Sequence, residues 1–183
     1  MINIYNSKSI KLEVELSQNI SFDNIFGRLN FTIHNQNLSN NEEANLAYLF
    51  VDFEYLKIRL EANEIIKNDL FYIADESILL YWKEWEIFMD SINIEETEEK
   101  KTENAIFFDR NYFRTGNIFS SFFFDDIMIF YVIENDLIKF KYWNKLCGSK
   151  IYEIGVNKSE LISSINSFLT FFNTTNNYLK NKK

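Results

Sequence analysis

"FFFDDIMIFYVIENDLIKFKYW", residues 122–143, sets two β-branched and aromatic runs on either side of a short polar break. Asn135 and Asp136 both tolerate left-handed backbone, so they suit a two-residue hairpin turn. Counting outward from that turn puts Glu134 opposite Leu137, Ile133 opposite Ile138, Tyr131 opposite Phe140 and Ile129 opposite Tyr142. These pairs give one clean apolar face. The other face pairs Val132 with Lys139, Phe130 with Lys141, Met128 with Trp143 and Asp126 with Lys145, a mixed and wetter surface. Successive strand residues point to opposite sides, so Asp125 and Asp126 cannot jointly hold a metal or share a proton without a bulge. Their expected roles are structural. Asp126 pairs with lysines on the wetter face, and Asp125 ends the strand by accepting backbone N–H bonds in a turn.

The same period of two recurs near the N-terminus. In SIKLEVEL, Ile10, Leu12, Val14 and Leu16 share one face and Lys11, Glu13 and Glu15 the other, as in a half-buried strand. A second strand follows in FGRLNFTIHNQN, with Leu29, Phe31 and Ile33 inward, Arg28, Asn30, Thr32 and His34 outward, and Gly27 as a candidate bulge. From Glu42 the period becomes helical, with Leu46, Leu49, Phe50, Phe53, Leu56 and Leu60 in one stripe and Ser39 or Asn40 as cap. Another helix is expected over 77–92, where Ile78, Tyr81, Trp82, Trp85, Phe88, Met89 and Ile92 form a broad apolar stripe typical of core. The segment between these helices suits a short helical turn. AIFFD at 105–109 reads as a further strand and RNYFRTGN as a loop. A last helix is expected from about Lys158 to Phe172, with the Asn157 side chain capping Glu160, the third helical residue, Val156 stapled onto Leu161, and Leu161, Ile165, Phe168, Leu169 and Phe172 inward.

Hairpin-like strand pairs at both ends with helices between and after them predict an α+β fold. The expected architecture is a single domain over residues 1–173, an antiparallel sheet packed by about three helices, with a polar, partly disordered tail at 174–183. The 183-residue length and 46% apolar content suit one core and exclude the disordered class. No proline and only four glycines leave Asn, Asp and Ser to make most turns. EETEEKKTEN, 95–104, is the one low-complexity stretch and reads as an exposed loop or a frayed helix end.

Chemistry is constrained mainly by what the chain lacks. There is no phosphate-cradling glycine loop, no Cys/His metal spacing, and no HExxH or GxSxG pattern. His34, the only histidine, is expected to be exposed and non-catalytic, and Cys147, the only cysteine, reads as a small buried hydrophobe. A non-enzyme without metal or cofactor is the expectation. The lone thiol suits a reducing compartment, and MINIYNSKSI lacks the pattern of a leader peptide, so a cytoplasmic location is expected. No apolar run is long enough to span a bilayer, so no membrane partner is expected.

The net charge of −8 is concentrated, since residues 42–104 carry seventeen acids against six bases. That field repels nucleic-acid phosphates and attracts basic proteins. Two blocks also resemble a known family: SSFFFDDIMIFYVIENDLIKFKYW, containing Asp125 and Asp126, and IFGRLNFTIHNQNLSNNEEANLAYL near the N-terminus. Together they resemble immunity proteins of bacterial polymorphic-toxin, or contact-dependent inhibition, systems, and above all the family called immunity protein 42. The resemblance implies a non-enzymatic cytoplasmic protein that binds and neutralises the toxic C-terminal domain of a cognate toxin. A different reading of the same features is an acidic adaptor for another basic protein. For the interface, Glu95, Glu96, Glu98 and Glu99 are the first candidates, placed to steer a basic partner. The competing candidate is the mixed sheet face of Met128, Phe130, Lys139, Lys141 and Trp143.

Overall fold

The computed structural model describes residues 1–40, 42–62, 69–73, 75–92, 103, 105–107, 122–124, 127–144 and 150–182. In chain order the strands and helices are β1 (Ile2–Asn6), β2 (Ile10–Leu16), β3 (Phe26–Ile33), β4 (Gln36–Asn37), β5 (Glu43–Asn45), α1 (Leu46–Glu61), α2 (Asp69–Tyr72), α3 (Asp75–Ile92), β6 (Ile127–Glu134), β7 (Leu137–Asn144), β8 (Ile151–Asn157) and α4 (Lys158–Asn181). They make two antiparallel sheets where one was expected. In the first, β1, β2 and β3 are neighbours, and both β4 and β5 pair with the far edge of β3. The second runs β6–β7–β8. The α+β class predicted from the strand and helix patterns is the class observed.

Alternation makes β2 and β3. Ile10, Leu12, Val14, Leu29, Phe31 and Ile33 are buried on one face, and the pairing of Ile10 with Ile33 through Leu16 with Gly27 is unbroken. Gly27 is therefore no bulge. It lies in register with both Leu16 and Ala44, and a Cβ there would stand 2.7 Å from the Glu15 carbonyl oxygen. Close approach of backbone, not an extra residue, is what calls for glycine. The irregularity of this sheet falls instead in β1, between Asn3 and Tyr5. His34 and Asn35 both take positive φ, 50° and 64°, so they form the tight turn into β4 and leave the polar row of β3 at Thr32.

The hairpin counted from Asn135 is present residue for residue, from Glu134–Leu137 to Met128–Trp143, and Asn135 carries the left-handed φ of 52°. Its inner face, with Ile129, Tyr131, Ile133, Ile138, Phe140 and Tyr142, joins the main core. Its other face is not wet. Met128, Phe130 and Val132 are buried in a second cluster with Phe71 and Ile151, against which Trp82, Trp85 and Trp143 pack. Lys141 is buried there too, its ammonium 5.2 Å over the Phe71 ring and 3.5 Å from the Ile73 carbonyl oxygen. The three-stranded sheet is thus a middle layer, buried on both sides.

Helix α1 begins four residues later than its acidic lead suggested. Glu43–Asn45 is drawn into extended pairing with Phe26–Arg28, and Asn45 caps the helix by accepting from the Ala47 amide at 3.0 Å. Ser39 is no cap; its hydroxyl is buried, donating to the Leu29 carbonyl and accepting from the Phe31 amide. The inner stripe of α1 packs on α4 through Phe53 and Phe168, edge-to-face at 5.3 Å, and Phe50 and Phe172 at 4.9 Å.

Helix α4 continues to Asn181, nine residues past Phe172, where an irregular tail was expected. Tertiary contacts explain the extension: Leu179 packs on the main core, the Asn176 side chain accepts from the Asp23 amide, and Lys180 lies over Phe22. Asn157 occupies the cap position without a side-chain cap bond, and Glu160 instead accepts from the Ser7 hydroxyl. Residues 105–107 are helical and not a strand, with Phe107 against Tyr81 on α3.

Candidate partner-binding surface

Helix α1 is apolar on two faces. Opposite its buried stripe, Tyr48 (56% exposed), Val51 (62%), Tyr55 (52%) and Ile58 (63%) follow one another at steps of three, four and three residues. That spacing keeps all four on one side of the helix, in a row about 15 Å long. The cations beside the row are engaged. The Arg59 guanidinium lies 5.6 Å over the Tyr55 ring and donates to the Tyr131 hydroxyl at 3.1 Å, and Lys57 sits 3.7 Å from the Glu61 carboxylate. Glu54 and Glu61 on the helix, with Glu42 and Glu43 just ahead of it, are exposed. The row is an apolar ridge with an acidic border.

Two polar groupings lie elsewhere. Lys139 and Tyr72 both donate to the Glu134 carboxylate, at 2.7 and 2.8 Å. The Lys139 bond, then the Tyr72 bond, hold Glu134 below the usual carboxylate range, while the carboxylate in turn raises Tyr72 and Lys139 above theirs. Glu13 is lowered by Lys11 and, further down, by the Asn30 amide. The Glu134 group braces β6 to β7 and α2, and the Glu13 group braces β2 to β3. At the end of the first sheet an open cleft of about 490 Å³ is lined by Glu15, Ser17, Gln18, Asn19, Phe26, Arg28 and Glu43 among others. Arg28 stands in register between Glu15 and Glu43, so its charge belongs to a cross-strand row. Among the described residues no group of three or more His, Cys, Asp or Glu side chains is arranged to hold a metal ion.

Of the residues singled out from sequence, Trp143 lies on β7, half-buried and edge-to-face with Trp82 at 4.9 Å, in register with Met128. It is chiefly a packing residue of the second cluster. Glu95, Glu96, Glu98, Glu99, Asp125, Asp126 and Cys147 lie outside the described residues. His34 is exposed, with its Nε2 3.0 Å from the Gly155 carbonyl oxygen, which ties the two sheets together. Sequence reasoning passed over Tyr48, Val51, Tyr55 and Ile58. The signal was present, because a helix with a second apolar stripe must either be buried all round or meet something.

No family model and no curated protein matches this chain. A two-sheet antiparallel α+β fold with flanking helices is, however, shared with a solved structure. The crystal structure of CdiI from Burkholderia dolosa AUO158 is similar over 90% of this chain and 96% of that one, with a TM-score of 0.50 and 17% identity. At that identity the likeness is one of fold. Among the described residues no helix is long and apolar enough to cross a membrane.

Proposed function

We infer that this chain is an immunity protein, which binds the toxic C-terminal domain of a cognate bacterial toxin and neutralises it without itself being an enzyme. The observation that carries the reading is the fold shared end to end with a CdiI. The sequence blocks that resemble the immunity protein 42 family point to the same kind of protein. Charge supplies the physical logic: a chain of net charge −8 with its acids gathered in the middle third suits a basic partner and is repelled by nucleic acid. Binding that covers a toxin's working surface needs no catalytic group on the inhibitor, and the cytoplasm is where such an inhibitor meets an incoming toxin.

The test is protection. The chain is co-produced with the toxin domain encoded beside it, and cells are expected to grow where the toxin domain alone stops them. Continued killing despite accumulation of folded protein would remove the reading. The acidic segment is tested in the same system by changing Glu95, Glu96, Glu98 and Glu99 to lysine. Association at low salt is expected to slow several-fold with the melting temperature nearly unchanged, since exposed charges steer encounter and contribute little to folding. An unchanged on-rate takes those four residues out of the interface.

A further inference from the structure

We propose that the outward row of α1, Tyr48, Val51, Tyr55 and Ile58, is where the toxin domain docks, receiving an apolar anchor flanked by basic side chains. The proposal rests on the immunity reading above and adds the surface. Four large side chains, each more than half exposed on one helix face, present on the order of 400 Å² of mainly apolar area, a size often functional on a monomer. The stripe of α1 that meets the core is the opposite one, Leu46, Leu49, Phe53, Leu56 and Leu60. Two of the four are tyrosines, which give large contact area with few rotors to freeze and are enriched at binding hot spots. Arg59, stacked on Tyr55 and bonded to Tyr131, restrains that ring before any partner arrives.

Charge selects the occupant. Residues 42–61 carry five carboxylates against two cations, a net charge of −3; Lys57 offsets Glu61 and Arg28 stands in register with Glu43, so the acidity of the border rests chiefly on Glu42, Asp52 and Glu54. A second copy of this chain packing two-fold on the row would bring two such acidic borders together, in molecules each of net charge −8. A basic partner meets the same border with opposite charge. The row is therefore a ridge for a basic protein with an apolar groove or patch.

The experiment measures toxin binding by the wild-type chain, by Val51→Ser/Ile58→Ser and by Glu54→Lys. The double variant is expected to lose roughly tenfold or more in affinity, mostly through faster dissociation, because it strips apolar area from two side chains that the partner would cover. Glu54→Lys is expected to slow association at low salt. In the wild-type protein, amides of residues 46–61 are expected to gain hydrogen-exchange protection when the toxin is added. Wild-type binding with an unaffected double variant and unprotected α1 amides overturns the surface and leaves the immunity reading standing. Absence of toxin binding by the wild-type chain overturns both. A wild-type dimer that Val51→Ser/Ile58→Ser converts to monomer, with toxin affinity unchanged, assigns the row to a second copy and overturns the proposal.

Discussion

Substituting Gly27 by alanine gives a sharp test of the first sheet. The added Cβ would stand 2.7 Å from the Glu15 carbonyl oxygen and 3.5 Å from Leu46 Cδ1. The oxygen is backbone, in a strand fixed by unbroken pairing from Ile10 to Leu16, so no side-chain rotation relieves the contact. Gly27 is also paired with Ala44 on its other side, so the strand cannot simply slide outward. Relief requires moving β2, β3 or the start of α1, and overpacking of this kind costs about 2 kcal/mol. For a chain of this length that lowers the melting temperature by roughly 4–8 °C. The matched control is Gly155→Ala on β8, where the new Cβ would meet Lys139 Cγ at 3.7 Å, an ordinary contact. There the change is expected to be neutral or stabilising by less than about 1 kcal/mol, by restricting the unfolded chain. Urea denaturation followed by circular dichroism measures both. Equal midpoints for the two variants would refute the argument from close approach.

Phe168→Ala removes the ring that meets Phe53 at 5.3 Å and is fully buried, so about 4 kcal/mol of stability should go, seen as a much lower urea midpoint; a loss under about 1 kcal/mol would mean that α1 and α4 do not rely on this contact. Truncation after Asn173 deletes the contacts of Asn176, Leu179 and Lys180 and should cost about 1–2 kcal/mol, where a detached tail would cost nothing. Glu134→Gln probes the brace to Lys139 and Tyr72. Because Glu134 is held below its ordinary value of 4.5, its contribution is present above that pH and fades as pH falls through the folded-state value. Because Tyr72 is raised above 10.0 and Lys139 above 10.5, theirs is present below those values and fades on the alkaline side. The difference in melting temperature between wild type and variant should therefore be largest, though small for so exposed a group, between about pH 4.5 and 10; a pH-independent difference would remove the brace.

The sequence by itself determined the elements whose pattern is local. Alternation in IKLEVEL and FGRLNFTI fixed which faces of β2 and β3 turn inward, since a one-residue slip would expose every apolar side chain. Two polar residues after Glu134 fixed the whole register of β6 and β7. The apolar stripes of α1 and α4, and that of α3 at Tyr81, Trp82 and Trp85, were legible from the 3.6-residue period. Tertiary structure decided what depends on distant partners. Glu43–Asn45 is strand because the edge of β3 needs hydrogen-bonding partners, and α4 runs to Asn181 because Phe22, Asp23 and the core lie alongside its last turns. Lys139 and Lys141 made one face of the hairpin look wet, yet aromatic side chains of α2 and α3 cover it, and Lys141 finds a ring and a carbonyl there. On α1 the sequence showed apolar residues around most of the helix. Only packing revealed which stripe meets the core and which, from Tyr48 to Ile58, is left facing solvent, because burial depends on what else in the fold reaches that side.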